Sequence, residues 1–106
     1  MLVVTADDIK GKEIVETLGM VKGNTIRAKH LGKDIVALFR NLVGGEIKEY
    51  TEMLNDAREQ SVSRMVKNAE ELGANAIINV RFTTSLVMSG ASELLVYGTA
   101  VKVEDK

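Results

Sequence analysis

The sequence contains no cysteine, no proline and no tryptophan. Without cysteine the chain forms no disulfide and has no thiolate to act as a nucleophile or to hold a soft metal. The absence of proline and of any low-complexity segment removes the usual signs of a linker or a domain boundary. Because the chain has 106 residues, it predicts a single domain over residues 1–106.

An excess of charge of one sign is also missing. The 14 Lys and Arg residues nearly balance the 15 Asp and Glu residues, which leaves a formal net charge of −1. Since phosphate binding needs a basic excess on one face, we expect no nucleic-acid partner. Residues 1–5 are apolar for too short a stretch, and lack the basic flank, to be a signal peptide or a membrane span. We therefore expect a cytoplasmic protein with no membrane partner.

The first part of the chain has the alternating pattern of strands. Residues 1–5 predict a short strand, and residues 13–21 predict a half-buried one. Gly23-Asn24 predicts a turn into residues 25–29, which form a second strand or continue the first. In the strand over 13–21 the apolar residues at even positions predict one buried face, which holds Ile14, Leu18 and Met20. Glu16 breaks this pattern.

The middle of the chain predicts two helices. Residues 32–43 carry apolar side chains at helical spacing and predict a short buried helix, which Gly44-Gly45 ends. A long helix is predicted from near Glu46 to about Leu72, with Gly73 as its stop. At about 1.5 Å per residue it measures roughly 40 Å, so we expect part of it to meet a neighbouring subunit. Its apolar or small stripe is Ile47, Tyr50, Leu54, Ala57, Ser61, Met65, Ala69 and Leu72.

The last third predicts a β-hairpin with its turn at Ser89–Ser92. The returning strand, about Glu93–Val103, is apolar on both faces, and the chain's own helices can cover only one of them. Another subunit is the simplest cover for the second face. The small residues Gly98 and Ala100 would permit close approach there, or Gly98 marks a bulge. In the first strand of the hairpin, one predicted face holds Ala76, Ile78, Val80, Phe82, Thr84, Leu86 and Met88.

Five short motifs, in this order and spacing, resemble the YbjQ-like family, also called UPF0145. They are Gly19-Met20-Val21-Lys22-Gly23, Val43-Gly44-Gly45, Tyr50 followed by Ala57-Arg58, Gly73-Ala74-Asn75-Ala76, and Tyr97-Gly98-Thr99-Ala100-Val101. The resemblance implies an α+β, two-layer, dodecin-like subunit whose antiparallel sheet packs against a short and a long helix. It also implies a homo-oligomer, a pentameric ring, in which the apolar start adds as a strand to a neighbour's sheet.

The family carries a heavy-metal-binding label, which this sequence supports weakly. Soft metals prefer thiolates, and the chain offers none; its one imidazole is His30. His30 and Asp34 are the candidate ligands of a divalent metal, alone or with copies of His30 around a ring. The alternative is a surface histidine, because one imidazole does not make a zinc site unaided.

An acidic stripe on the long helix has two interpretations. Its members recur at helical steps and share one face: Glu49, Glu52, Asp56 and Glu59. Such a stripe could line a ring pore or hold a hard cation, since these ions bind oxygen ligands. It is equally the pattern of a solvated helix face, and Lys48, four residues before Glu52, indicates ordinary charge pairing.

A second candidate site would bind an anion. Arg40 could join the backbone N–H groups at Gly44, Gly45 and the start of the next helix in holding an anion, although Glu46 competes for that position. Tyr50 and Tyr97 are expected to pack with their hydroxyls at the rim.

Arg58 adjoins the apolar stripe of the long helix. It should therefore be partly desolvated and need a carboxylate partner. A structural ion pair is the alternative role for Arg40 and Arg58 alike.

Three functions follow from these observations. The first is a non-enzymatic ring-forming domain that binds a small ligand, an ion or a partner between subunits. The second is a heavy-metal-binding protein. The third is an enzyme that acts on an anionic substrate through Arg40, Glu46 or Tyr50, although the sequence contains no nucleophile constellation and no phosphate-binding motif.

Overall fold

The computed structural model describes residues 1–28, 48–88 and 91–106. Within them the chain forms a mixed four-stranded sheet of order β1-β3-β4-β2 and one helix that lies mainly over β2 and β4. The α+β class is confirmed. The sheet is not wholly antiparallel as predicted, because β1 pairs with β3 in parallel. The predicted helix over 32–43 lies outside the described residues. The elements are β1 (Leu2–Val3), β2 (Lys12–Ala28), α1 (Lys48–Glu71), β3 (Ala76–Met88) and β4 (Ala91–Asp105).

The sheet has an inner face, which packs against α1, and an outer face on the opposite side. On the inner face, apolar residues of α1 and of the three long strands form the larger core cluster: Val21, Met65, Ala69, Ile77, Val80, Val96 and Ala100. Directly paired residues of neighbouring strands share a face, so the strand register determines which side chains lie together on the outer face.

β2 is one continuous strand, and the predicted turn at Gly23-Asn24 is wrong. Gly23 pairs with Val96 and Asn24 with Leu95 in the antiparallel ladder with β4. The glycine is needed for another reason. A Cβ on Gly23 would lie 2.0 Å from the backbone oxygen of Ser61 in α1, so its absence allows the helix to approach the strand closely.

The predicted buried face of β2 is also wrong in part. Register shifts between Ile14 and Glu16 and between Thr17 and Gly19 interrupt the alternation along the strand. Each added residue changes the side to which the following side chains point. Leu18 therefore packs against the inner core, while Met20 is exposed on the outer face.

Helix α1 confirms the predicted stripe in its middle. Ala57, Ser61, Met65 and Ala69 are buried against the sheet, whereas Leu72 lies beyond the end of the helix and is exposed. The stop at Gly73 is confirmed, with φ at 86°. The N–H of Gly73 bonds to the oxygen of Glu70, and the N–H of Ala74 bonds to that of Ala69. These two bonds form a Schellman motif, which ends the helix.

The hairpin has the two apolar faces predicted for β4 but not the single face predicted for β3. Asn79 has a positive φ of 54° and lies in a bulge between Ile78 and Arg81. Ile78 therefore faces outward, while Val80 and Phe82 lie on the inner side. Gly98 of β4 lies opposite this bulge. The sequence offered a bulge as one of two explanations for a glycine at this position.

The face with Gly98 and Ala100 is the inner one, which α1 covers, and not the face expected to meet another subunit. Ala100 is fully buried in the larger core cluster. A Cβ on Gly98 would lie 2.8 Å from Cγ2 of Ile77 in the same chain.

The apolar start of the chain joins its own sheet as an edge strand. β1 pairs with residues 76–77, and the N–H of Asn79 continues the edge by donating to the oxygen of Ala6. Residues 4–9 then cover the nearer half of the outer face. Val4 and Ile9 pack there against a second core cluster: Ala76, Ile78, Val101 and Val103.

Candidate functional site

Most of the predicted site residues lie outside the described part of the chain. These are His30 and Asp34 of the predicted metal site, and Arg40, Gly44, Gly45 and Glu46 of the predicted anion site. Tyr50 belongs to the first turn of α1, and its side chain also lies outside the description. The structure therefore does not show whether these groups meet.

Arg58 is the one predicted site residue whose side chain is described. It is exposed on α1, and its Nη1 donates to Oδ1 of Asn55 at 3.1 Å. Its exposure contradicts the predicted partial desolvation, and within the described residues it has no carboxylate partner. The guanidinium bonds instead along the helix surface to Asn55, about one turn earlier.

The described residues do not fit a heavy-metal site. No group of three or more His, Asp or Glu side chains comes together within residues 1–28, 48–88 and 91–106. The full sequence provides no cysteine and one histidine. Because soft metals need thiolate or imidazole ligands, the described surface offers no suitable set.

The most distinctive described surface is the part of the outer sheet face that residues 4–9 leave uncovered. We call it the open outer face. Its residues are Met20, Lys22, Asn24, Ile26, Arg81, Thr83, Glu93, Leu95 and Tyr97. Three of its apolar side chains are exposed: 71% for Met20, 58% for Ile26 and 37% for Tyr97. A sheet face that meets water is normally polar, so this surface has the character of an association site.

Cations flank the aromatic ring of the open outer face. Lys22 pairs with Tyr97 across β2 and β4, and Arg81 pairs with Tyr97 across β4 and β3. The three side chains therefore form one transverse row. Nη1 of Arg81 donates to the oxygens of Thr5 at 2.8 Å and of Val80 at 2.9 Å, which fixes the guanidinium at the sheet edge.

Sequence reasoning missed this row. Tyr97 was expected only to pack with its hydroxyl at the rim, and neither cation was selected. Lys22, Arg81 and Tyr97 are far apart in sequence and meet only through the register of three strands. The bulge at Asn79 determines which face Arg81 occupies, and no sequence motif marks that bulge.

The outer side of α1, away from the sheet, is acidic. Its stripe runs at steps of four and three residues, which follow one line along a helix. The members are all exposed: Glu52, Asp56, Glu59, Ser63, Lys67 and Glu70. Within the described residues none of these carboxylates has a cation within ion-pair distance, since the single ion pair there joins Lys12 and Asp105. The expected pairing with Lys48 falls on a side chain outside the description.

No helix among the described residues is both long and apolar enough to cross a membrane. Helix α1 has 24 residues, but charged side chains recur along its length.

Comparison with known proteins agrees with the resemblance seen in the sequence. A family model described as "Putative heavy-metal-binding" matches residues 1–104. A UPF0145 protein from Methanosarcina acetivorans is 58% identical over 106 residues, which cover all of both chains. A UPF0145 protein from Thermosipho africanus is 57% identical over 104 residues, which are 98% of this chain and 96% of that one.

A similar solved structure gives the fold alone. It is a protein of unknown function from Pediococcus pentosaceus assigned to the DUF74 family, with a TM-score of 0.67, 18% identity and coverage of 98% of each chain. The family follows instead from the sequence matches, which extend over nearly every residue. The chain belongs to the UPF0145 family, whose family model is described as "Putative heavy-metal-binding".

Proposed function

We propose that the protein is a non-enzymatic homo-oligomer that binds a small ligand, an ion or a partner between its subunits. The observation that carries this proposal is the open outer face. Met20, Ile26 and Tyr97 are exposed there on one side of a sheet whose other side is already covered by α1. Burying such a surface is favourable at about 25 cal/mol per Å² of apolar area, so it favours association.

Two unlike surfaces of the subunit favour a head-to-tail assembly. Among the described strands β2 is an edge strand paired with β4, and the open outer face extends to this edge. The outer sheet face and the outer side of α1 are unlike surfaces on opposite sides of the subunit. Contact between unlike surfaces is head-to-tail, and it closes into a ring when the rotation between subunits permits. A pentamer of dodecin-like subunits, as the resemblance implies, is the proposed assembly.

The first experiment measures the mass of the protein in solution. Sedimentation equilibrium or light scattering at micromolar concentration should give five times the monomer mass of 11.6 kDa. Met20→Glu and Ile26→Glu should weaken the assembly, because each places a charge on the apolar surface. Leu72→Glu is the matched control, since Leu72 is 45% exposed but lies beyond α1 and away from the open outer face. A monomeric wild-type protein would overturn the proposal.

The second candidate function is metal binding, and the description of the family model favours it. His30 and Asp34 are its proposed ligands, outside the described residues. Elemental analysis of purified protein, followed by titration with nickel, copper and zinc, tests it. Stoichiometric binding that His30→Ala abolishes would support the site. If no metal binds at a stoichiometric level, this function is wrong.

A further inference from the structure

The open outer face carries positive charge without a local partner. Lys22 and Arg81 are exposed on either side of Tyr97, and neither has a carboxylate within ion-pair distance in the described residues. The hydrogen bonds of Arg81 go to backbone oxygens, which leave its charge uncompensated. Glu93 is the carboxylate of this face. It lies directly opposite Ile26 and accepts a hydrogen bond from Nδ2 of Asn24 at 3.2 Å.

The outer side of α1 has the opposite charge. Glu52, Asp56 and Glu59 lie within two turns of one another, and Glu70 extends the same line toward the end of the helix. The line includes one cation, Lys67, near the end of the helix, and within the described residues it includes no ion pair. Like charges at these spacings destabilise an isolated helix slightly, so the stripe is costly unless a positive surface lies against it.

We infer that the acidic outer side of α1 in one copy of the chain lies against the open outer face of the next copy. The two surfaces are complementary in charge, and they lie on opposite sides of the same two-layer subunit. Carboxylates of the stripe would pair with Lys22 and Arg81, and the hydroxyl of Tyr97 would donate to one of them. This inference rests on the proposed homo-oligomer and specifies which surfaces form its contact.

Charge complementarity of this kind mainly determines which surfaces meet and how fast they associate. It is screened by salt over about 8 Å at physiological ionic strength. The assembly should therefore weaken as salt is raised, whereas an interface held only by Met20, Ile26 and Leu95 would not.

Charge-swap variants test the contact. Lys22→Glu alone, and Asp56→Lys with Glu59→Lys, should each raise the dissociation constant of the assembly about tenfold or more. The triple variant with all three changes should regain most of the affinity, because the opposite charges face each other again. Lys10→Glu is the control, since Lys10 is exposed in the turn before β2. Circular dichroism and thermal unfolding establish that each variant is folded.

The outcomes separate this inference from the proposed function. If the wild-type protein is monomeric, the proposed homo-oligomer itself fails. If the wild type is oligomeric but Lys22→Glu assembles as well as Lys10→Glu, the oligomer stands and the contact is wrong. If each single-surface reversal weakens assembly and the triple variant does not recover, the pairing of these two surfaces is likewise overturned.

Discussion

The side chain of Asn75 and the backbone of Val103 are joined by two hydrogen bonds that run in opposite directions. Val103 N donates to Oδ1 of Asn75 at 2.8 Å, and Nδ2 of Asn75 donates to the oxygen of Val103 at 2.9 Å. The carboxamide thus imitates the backbone of a neighbouring strand. It attaches the turn between α1 and β3 to the end of β4, where β4 has no other partner on that side among the described residues.

Replacing Asn75 by alanine should lower the free energy of unfolding by about 1–2 kcal/mol. Both backbone groups of Val103 would lose their partner, and Val103 is only 8% exposed. Asn75→Asp tests the donor separately, because it keeps the acceptor for Val103 N but sets a carboxylate oxygen against the oxygen of Val103, so its stability should also fall below that of wild type. Urea denaturation measures all three proteins. Equal stability of Asn75→Ala and wild type would show that water replaces both bonds.

Gly23 should be among the most sensitive positions in β2. An alanine there would put its Cβ 2.0 Å from the oxygen of Ser61 and 2.5 Å from the nitrogen of Met65. Both are backbone atoms of α1, so the helix would have to move away from the sheet. We expect Gly23→Ala to cost about 3 kcal/mol.

Asn24→Ala provides the comparison for Gly23→Ala. Asn24 is the next residue of the same strand, but it is exposed on the outer face and makes one side-chain bond there. Its replacement should change stability by less than about 1 kcal/mol. Chemical denaturation of the two variants side by side distinguishes a steric requirement at Gly23 from a general sensitivity of β2.

The parts of the fold that follow local periodicity were predictable from the sequence. Ala57, Ser61, Met65 and Ala69 recur every four residues, so the buried side of α1 follows from the helical repeat alone. The end of the helix was equally predictable, because Gly73 takes the positive φ that glycine adopts without strain.

The parts that depend on contacts between distant segments were not predictable. Gly23-Asn24 has the sequence pattern of a turn. A glycine is needed at position 23 because the backbone of α1, far away in sequence, lies against it. Asn79 has a positive φ without being glycine. No glycine therefore marked the bulge that changes which face the following side chains of β3 occupy. The row of Lys22, Tyr97 and Arg81 depends on that bulge, and the candidate surface was missed for the same reason.

Thr25 and Ser61 form a buried polar contact between β2 and α1, with their hydroxyl oxygens 2.8 Å apart. The hydroxyl of Ser61 also donates to the oxygen of Leu94 at 3.2 Å. Ser61 therefore has a second partner, whereas the structure gives the Thr25 hydroxyl no other partner among the described side chains.

The two hydroxyls should differ in their effect on stability. Ser61→Ala leaves the hydroxyl of Thr25 buried without its partner, and we expect it to cost about 1–3 kcal/mol. Thr25→Val leaves Ser61 bonded to Leu94, so it should cost about 1 kcal/mol or less. Thermal or urea unfolding of both single variants and the double variant gives the coupling between them. If Thr25→Val proves the more damaging change, this account of the contact is incorrect.

The ion pair between Lys12 and Asp105 joins the first residue of β2 to the last residue of β4, at one end of the long β2–β4 ladder. The hydrogen bond from Lys12, and then its positive charge, hold the pKa of the Asp105 carboxyl below its usual value. A lowered pKa in the folded state means that the pair stabilises the fold above the ordinary aspartate pKa. That stabilisation is lost as the pH falls through the lowered value.

Removing the cation should return the pKa of Asp105 to its ordinary value. NMR titration of the Asp105 carboxyl carbon should give a higher pKa in Lys12→Met than in wild type, while Lys10→Met, which changes a nearby exposed lysine, should leave it lowered. Because the Asp105 side chain is 84% exposed, high salt should also raise its pKa in the wild-type protein. The same pKa in wild type and Lys12→Met at low salt would mean that the pair does not persist in solution.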